Sequence, residues 1–274
     1  VNATDAENQD SPRAFSITIT AGDLYWNYTS SLLSPATSIA PFLDDASANN
    51  LAITVVGDSR PNKFNPTSPG YYSGYFDGTG DYLSTPNNPA AFDFSTTKTM
   101  TFECWVNADS WGATYVCFLD IVEGQPFRFT YLHSSNSIQW QHSAGTALSG
   151  TVTLATGTWH HLAFTRNADT LYIFVNGVQV ATGSYTSNWA STPAGSVFVG
   201  CNRGDTWFVN GHLADVRLVK GTAVYTSNFI PPTEPLAAIT GTSLLVCRSN
   251  RFIDASPNNF TITRNGDTKV RSFV

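Results

Sequence analysis

The sequence predicts an all-β protein in which two antiparallel sheets stack as a sandwich. Three observations carry this. Asn176-Gly177 lies between the apolar runs Leu171–Val175 and Val178–Val180, and both residues tolerate the positive φ that a two-residue hairpin requires. Short runs of alternating apolar residues recur along the chain, separated by Gly and Asn turns, with no stretch at helical spacing. Hydrophobic residues make up 42% of the 274 residues and charged ones 12%, against about 25% charged in an average domain. A large core is therefore available, and solubility rests on Ser, Thr, Asn and Gly.

In chain order, residues 1–28 read as a polar lead-in with one strand at 14–20, where Phe15, Ile17 and Ile19 share a face. The N-terminal residues lack the pattern of a signal peptide. Tyr75 to Leu83 reads as strand, turn and strand. Strands follow at 100–106, 116–122, 126–132, 137–142 and 151–154. The hairpin occupies about 159–181, and strands at 196–200 and 212–219 complete the body. Pro231, Pro232 and Pro235 are expected to end this domain, because proline removes a ladder donor. The domain expectation is thus 29–236, followed by a C-terminal strand pair at 237–274.

An internal repeat flanks the body. Residues 42–58 and 252–267 both follow F-[LI]-D-x-S-x-N-N-[LF]-x-I-T-x-x-G-D once Asp45 is dropped from the first copy. Each is preceded by Ser-Leu-Leu, at 31–33 and 243–245. Repeats separated by a whole module suggest a tandem array whose units share this connector.

Several pieces together resemble the laminin-G-like, concanavalin A-like jelly-roll superfamily. They are Phe76-Asp77-Gly78-Thr79-Gly80-Asp81-Tyr82-Leu83, Met100–Val106, Trp159-His160-His161-Leu162-Ala163, Val175-Asn176-Gly177 and Gly211–Leu218. The segment 215–235, and the one from Ser243 to Asp267, are similar to closing segments in structural proteins of marine tailed phages, cyanophage-like ones especially. The resemblance implies a jelly-roll fold and a virion-surface role: capsid decoration, knob or tail fibre, working by protein–protein assembly and host adhesion, with virion proteins, copies of itself or a host glycan as partners. It also implies calcium at the sandwich rim in many members. Oxygen ligation would suit Asp77, Asp81, Asp205 or Asp215, but no EF-hand spacing exists and Asp is expected in turns without metal, so no ligand and no cofactor is assigned.

Two other function classes compete with the structural one. A carbohydrate-binding, lectin-like module would use aromatic side chains in loops, and Trp111, Trp189 and Trp207 have that sequence context. A glycoside hydrolase would need the strand motif E-x-D-x-x-E. Here Asp120 and Glu123 occupy its last two acidic positions and Phe118 its first. Phe118 cannot supply the nucleophile that retaining chemistry requires, so no catalytic residue is assigned and the expectation is a non-enzyme. His160 and His161 are adjacent on a strand and point to opposite faces, which favours structural use. Cys104, Cys117, Cys201 and Cys247 form no C-x-x-C pair and read as small buried residues.

The net charge of −6 argues against a general nucleic-acid partner. No run reaches the roughly 18 apolar residues of a membrane span. The charge is uneven: residues 1–58 carry one Arg against seven acids, and residues 237–274 five Lys and Arg against two acids. This suggests that the two copies meet, within a chain or head to tail between chains.

Overall fold

The computed structural model describes residues 33–35, 43–45 and 72–272, except 96, 113, 122–126, 143–144, 189–195, 204–205 and 250. Two compact units are present, Val1–Asn62 and Lys63–Val274. In the first, β1 (Leu33–Pro35) pairs antiparallel with β2 (Leu43–Asp45). The expected strand at 14–20 and most of the first repeat copy lie outside the described residues.

The second unit is an all-β sandwich of two antiparallel sheets with eight and seven strands. Along the chain come β3 (Tyr72–Asp77), β4 (Tyr82–Ser84), the short helix α1 (Pro89–Phe92), β5 (Thr99–Ser110), β6 (Tyr115–Ile121), β7 (Phe127–Leu132), β8 (Ser137–His142) and β9 (Gly145–Thr151). Then follow β10 (His160–Asn167), β11 (Thr170–Val175), β12 (Val178–Ser184), β13 (Val197–Val199), β14 (Asn210–Lys220), β15 (Thr242–Val246), β16 (Thr263–Asn265) and β17 (Lys269–Ser272). The eight-stranded sheet has the order β12-β11-β10-β5-β14-β3-β17, with β15 also on β14, and the seven-stranded sheet β16-β4-β13-β6-β7-β8-β9. No helix among the described residues is long and apolar enough to cross a membrane.

Alternation decides what each strand buries. Met100, Phe102, Cys104, Val106 and Ala108 of β5 enter the core, as do Leu162 and Phe164 of β10 and Phe127, Phe129 and Tyr131 of β7. The sheets meet through aromatic rings. Phe129 stacks on Phe102 at 4.6 Å, meets Phe164 at 4.6 Å and takes Trp140 edge-on at 4.9 Å. Each such ring contributes about 2–3 kcal/mol through burial. The turn Asn176-Gly177 joins β11 to β12 with φ of 50° and 77°, as its sequence requires.

The prolines at 231, 232 and 235 do not end the sandwich. Residues 221–241 form an irregular strap, after which β15 rejoins the eight-stranded sheet. β16 and β17 then extend both sheets, pairing with β4 and β3. The strap covers the outer face of the eight-stranded sheet. Tyr225 and Phe229 stack at 3.7 Å, and Phe229 packs on Phe174 and His161. Beneath it Glu103 is fully buried. Its Oε1 accepts Arg217 Nε at 2.9 Å and Nη2 at 2.5 Å, and its Oε2 accepts the Tyr225 hydroxyl at 2.8 Å and faces His161 Nε2 at 3.2 Å. Burial pushes this carboxyl up, but His161 and Arg217 more than offset it, so it stays below the ordinary glutamate value.

The strap also explains why residue 177 is glycine. Phe229 N–H donates to the Gly177 carbonyl, and a Cβ on Gly177 would fall 1.9 Å from the Phe229 carbonyl oxygen. Gly157, at φ +66°, has open space around the same position. Gly177→Ala should therefore lose about 3 kcal/mol or more, and Gly157→Ala about 1 kcal/mol, in denaturant unfolding.

Two buried groups on β14 titrate in opposite senses. Asp215 sits in a bulge at φ 49°, and burial raises its carboxyl to about 7, against the Leu236 N–H and Arg248, which lower it. His212, beside Ser73 at 3.0 Å, is lowered by burial to about 4. A raised carboxyl stabilises the fold below the unfolded value and loses that contribution as pH climbs from about 4 to 7. A depressed imidazole loses its contribution as pH falls from 6.5 to about 4. Urea titrations across this window should show Asp215→Asn gaining on the parent by on the order of 3 kcal/mol as pH rises, and His212→Gln losing ground by a similar amount.

Candidate functional site

The outer face of the seven-stranded sheet carries a row of side chains aligned across the strands. The register places Ser84 of β4, Phe198 of β13, Asp120 of β6, Arg128 of β7, Gln141 of β8 and Thr146 of β9 in sequence, each opposite the next. A bulge between Cys117 and Leu119 makes this possible. It lets Phe118 and Leu119 both enter the core while Cys117 and Asp120 turn outward. A second row runs Cys117, Thr130, Gln139 and Ser149.

Aromatic pairs flank the row. Tyr82 and Phe198 lie 5.5 Å apart on one side, and Tyr115 and Trp207 4.6 Å apart on the other. The Arg128 guanidinium stands 5.3 Å from the centre of the Trp207 ring. Trp207 adopts φ 58°, unusual for a bulky residue, and its carbonyl is held by Cys117 N–H at 2.8 Å. The backbone thus carries strain to put this indole beside Tyr115 and Arg128.

Hydrogen bonding along the row is incomplete. Gln141 Nε2 donates to Gln139 Oε1 at 2.8 Å, and Gln139 Nε2 donates to Ser137 Oγ at 2.9 Å. Asp120 Oδ2 accepts the Arg203 N–H at 3.1 Å. Asp120 Oδ1, Arg128 Nε and Thr130 Oγ1, however, are buried without a hydrogen-bond partner among the described residues. Burial pushes the Asp120 carboxyl up, against the Arg203 N–H and Arg128, which lower it. Three unmatched buried polar atoms on one patch are costly to leave unpaired.

The three sequence-predicted tryptophans separate. Trp111 is buried in the core, its Nε1 donating to the Leu154 carbonyl at 2.7 Å, with Tyr131 and Phe118 against its ring. Trp189 lies outside the described residues. Trp207 is half-buried on the outer face. The row of Asp120, Arg128, Thr130 and Gln141 was not foreseen as a site, since it exists only in the cross-strand register.

Of the aspartates considered for calcium, Asp77 and Asp81 come together with Asp267, with ligand atoms within 4.8 Å of one another. Asp215 sits in the β14 bulge, and Asp205 is outside the described residues. Asp81 accepts the Asp77 N–H at 3.0 Å and the Asp267 N–H at 2.7 Å, Asp77 accepts the Thr79 N–H, and Asp267 pairs with Lys269. These bonds account for the clustering as a stitch between two turns. His160 and His161 are both buried, bonded to the Ala155 carbonyl and to Glu103.

Residues 77–223 match the laminin G-type domain of the concanavalin A-like lectin/glucanases superfamily. The chain belongs to this superfamily. No curated protein sequence matches it. Among solved structures it is similar to a candidate carbohydrate binding protein from Bacteroides ovatus, at 15% identity and a TM-score of 0.57, covering 84% of this chain and 68% of that one. It is also similar to the CBM40 of Ruminococcus gnavus IT-sialidase (12% identity, TM-score 0.41, 51% and 86% covered). Domain 4 of AbnA, a GH43 extracellular arabinanase from Geobacillus stearothermophilus in complex with arabinotriose, is a third (14%, 0.40, 58% and 94%). The concanavalin A-like sandwich agrees with the two-sheet expectation.

The contrast between the tryptophans is measurable. Trp111→Ala should cost about 3–5 kcal/mol in denaturant unfolding, as for other buried large-to-small changes. Trp207→Ala should cost about 1 kcal/mol, since it gives up a half-exposed ring and one cation–π contact.

Proposed function

We propose that this superfamily member is a carbohydrate-binding module whose site is the Phe198–Asp120–Arg128–Gln141 row with Trp207 at its side. The observation that carries the reading is the part-exposed set Phe198, Arg128, Tyr115 and Trp207 gathered along the row by the strand register. The Arg128 guanidinium can donate to a sugar hydroxyl. Trp207, Tyr115 and Phe198 supply ring faces for the apolar side of a pyranose or furanose. Membership in a superfamily of lectins and glucanases, and the fold shared with the Bacteroides ovatus protein, support the reading at the level of fold.

We propose binding without turnover. Phe118 stands where the strand motif would need its nucleophile, and its side chain is buried in the core. A retaining mechanism needs two carboxyls about 5–5.5 Å apart. A second reading, a virion-surface structural element, rests on the repeated closing motif and on the resemblance of residues 215–235 and 243–267 to closing segments of phage structural proteins. On that reading a particle surface is where the glycan site is displayed.

A glycan array with the full chain tests the carbohydrate reading and its site. On the carbohydrate reading the parent binds a defined set of neutral glycans and leaves them uncleaved. Trp207→Ala and Arg128→Gln each weaken binding by about tenfold or more, the loss of a stacking contact or a charged hydrogen bond. Absence of any glycan binding by the parent, or unchanged binding by both variants, rejects the site.

A further inference from the structure

The second repeat copy shows what the repeated residues are for. Asp254 is buried; its Oδ1 accepts the N–H groups of Leu245 and Ser256, and its Oδ2 accepts the Ser256 hydroxyl and the Phe260 N–H. Asn258 Nδ2 donates to the Ser243 carbonyl, and Asn259 turns the chain at φ 48°. These positions organise the segment itself. Others face the sandwich. Phe260 packs on Phe92 at 5.2 Å, Ile262 lies against the core, and Thr263 begins β16 on the edge strand β4. Gly266 passes so close to the buried Asp81 that a Cβ would lie 2.2 Å from its Oδ1, which accepts the Asp267 N–H. The repeated segment closes the β4 edge of the seven-stranded sheet, and β17, which follows it, closes the β3 edge of the other.

The first copy repeats both sets. Asp44, Ser47, Asn49 and Asn50 match the organising residues, and Leu51, Ile53 and Gly57 the sandwich-facing ones. Its described part pairs in the corresponding place. Leu33 lies opposite Asp45, beside the residue aligned with Ala255, whose N–H donates to the Leu245 carbonyl. Gly57 aligns with Gly266, which turns the chain at φ 67° and also passes against the acceptor's carboxylate. Within residues 63–274 the acceptor, formed by β4, Phe92 and Asp81, is filled by the second copy.

We propose that residues 31–58 are a second closing segment and that their partner is another sandwich of this fold, presenting an open β4 edge and a buried turn carboxylate equivalent to Asp81. The partner contact is independent of glycan binding. It links modules by handing a closing segment from one to the next.

Two measurements on the full chain test this. In the first, residues 252–267 are replaced by the sequence of residues 42–58. The chimera should melt cooperatively within about 5 °C of the parent, whereas Asp254→Ala should melt about 8 °C or more lower. A chimera that melts as low as Asp254→Ala, or does not fold, overturns the proposal. In the second, a labelled peptide of residues 29–62 is titrated onto full-length Asp254→Ala. It should bind at least about tenfold more tightly than its Gly57→Val version. Equal binding of the two peptides, or none, overturns the proposal. If Asp254→Ala does not fold, the chimera decides.

Discussion

Irregular chain is held on this sandwich by buried carboxylates. Five are buried among the described residues: Asp81, Glu103, Asp120, Asp215 and Asp254. In a chain with so few charges, each marks a place where loop or strap must be fastened to a sheet. Burying an ion costs several kcal/mol unless its lone pairs are met, and charge-assisted bonds to N–H and O–H groups are about twice as strong as neutral ones. Glu103 meets three side chains, Asp254 takes four donors, and Asp81 joins two turns that are far apart in sequence. The strap and the closing segment depend on these fastenings, because neither has a ladder of its own long enough to hold it.

Against that pattern Asp120 stands apart. It spends one oxygen on a backbone N–H and leaves the other unmatched, beside an arginine Nε and a threonine hydroxyl in the same condition. A scaffold that saturates Glu103, Asp81 and Asp254 has the means to saturate Asp120. Asp215 also has an unmatched oxygen, but burial favours its protonated form, and it lies under the strap, where the Leu236 N–H reaches it.

What could be read from the residues follows the range of the interaction. The hairpin at Asn176-Gly177 is local chemistry and was legible, as were the alternating strands that build the core. The strap was misread as a domain end, because proline excludes a ladder but not a covering segment anchored by Thr101, Glu103 and Gly177. Trp111 and Trp207 have similar loop contexts, yet one indole N–H finds the Leu154 carbonyl inside the core and the other ring lies outside. That difference belongs to tertiary packing. The Asp120 row was invisible because Ser84, Phe198, Asp120, Arg128 and Gln141 are scattered between positions 84 and 198 and meet through register alone. The bulge at Cys117–Leu119 then shifts the alternation just where Asp120 turns outward.

The repeat is the case where sequence and structure need one another. The pattern alone says that two segments share a form, without saying what the form is for. The fold alone shows a C-terminal segment closing two sheet edges. Taken together, they separate residues that shape the segment from residues that recognise a sandwich. An exposed edge strand is a template for unwanted pairing, so a module whose edge is closed by a transferable segment is protected when the segment is present and open to a neighbour when it is not. Closure and linkage then use the same contacts. The glycine that skirts the acceptor carboxylate is the residue at which the two roles cannot be told apart.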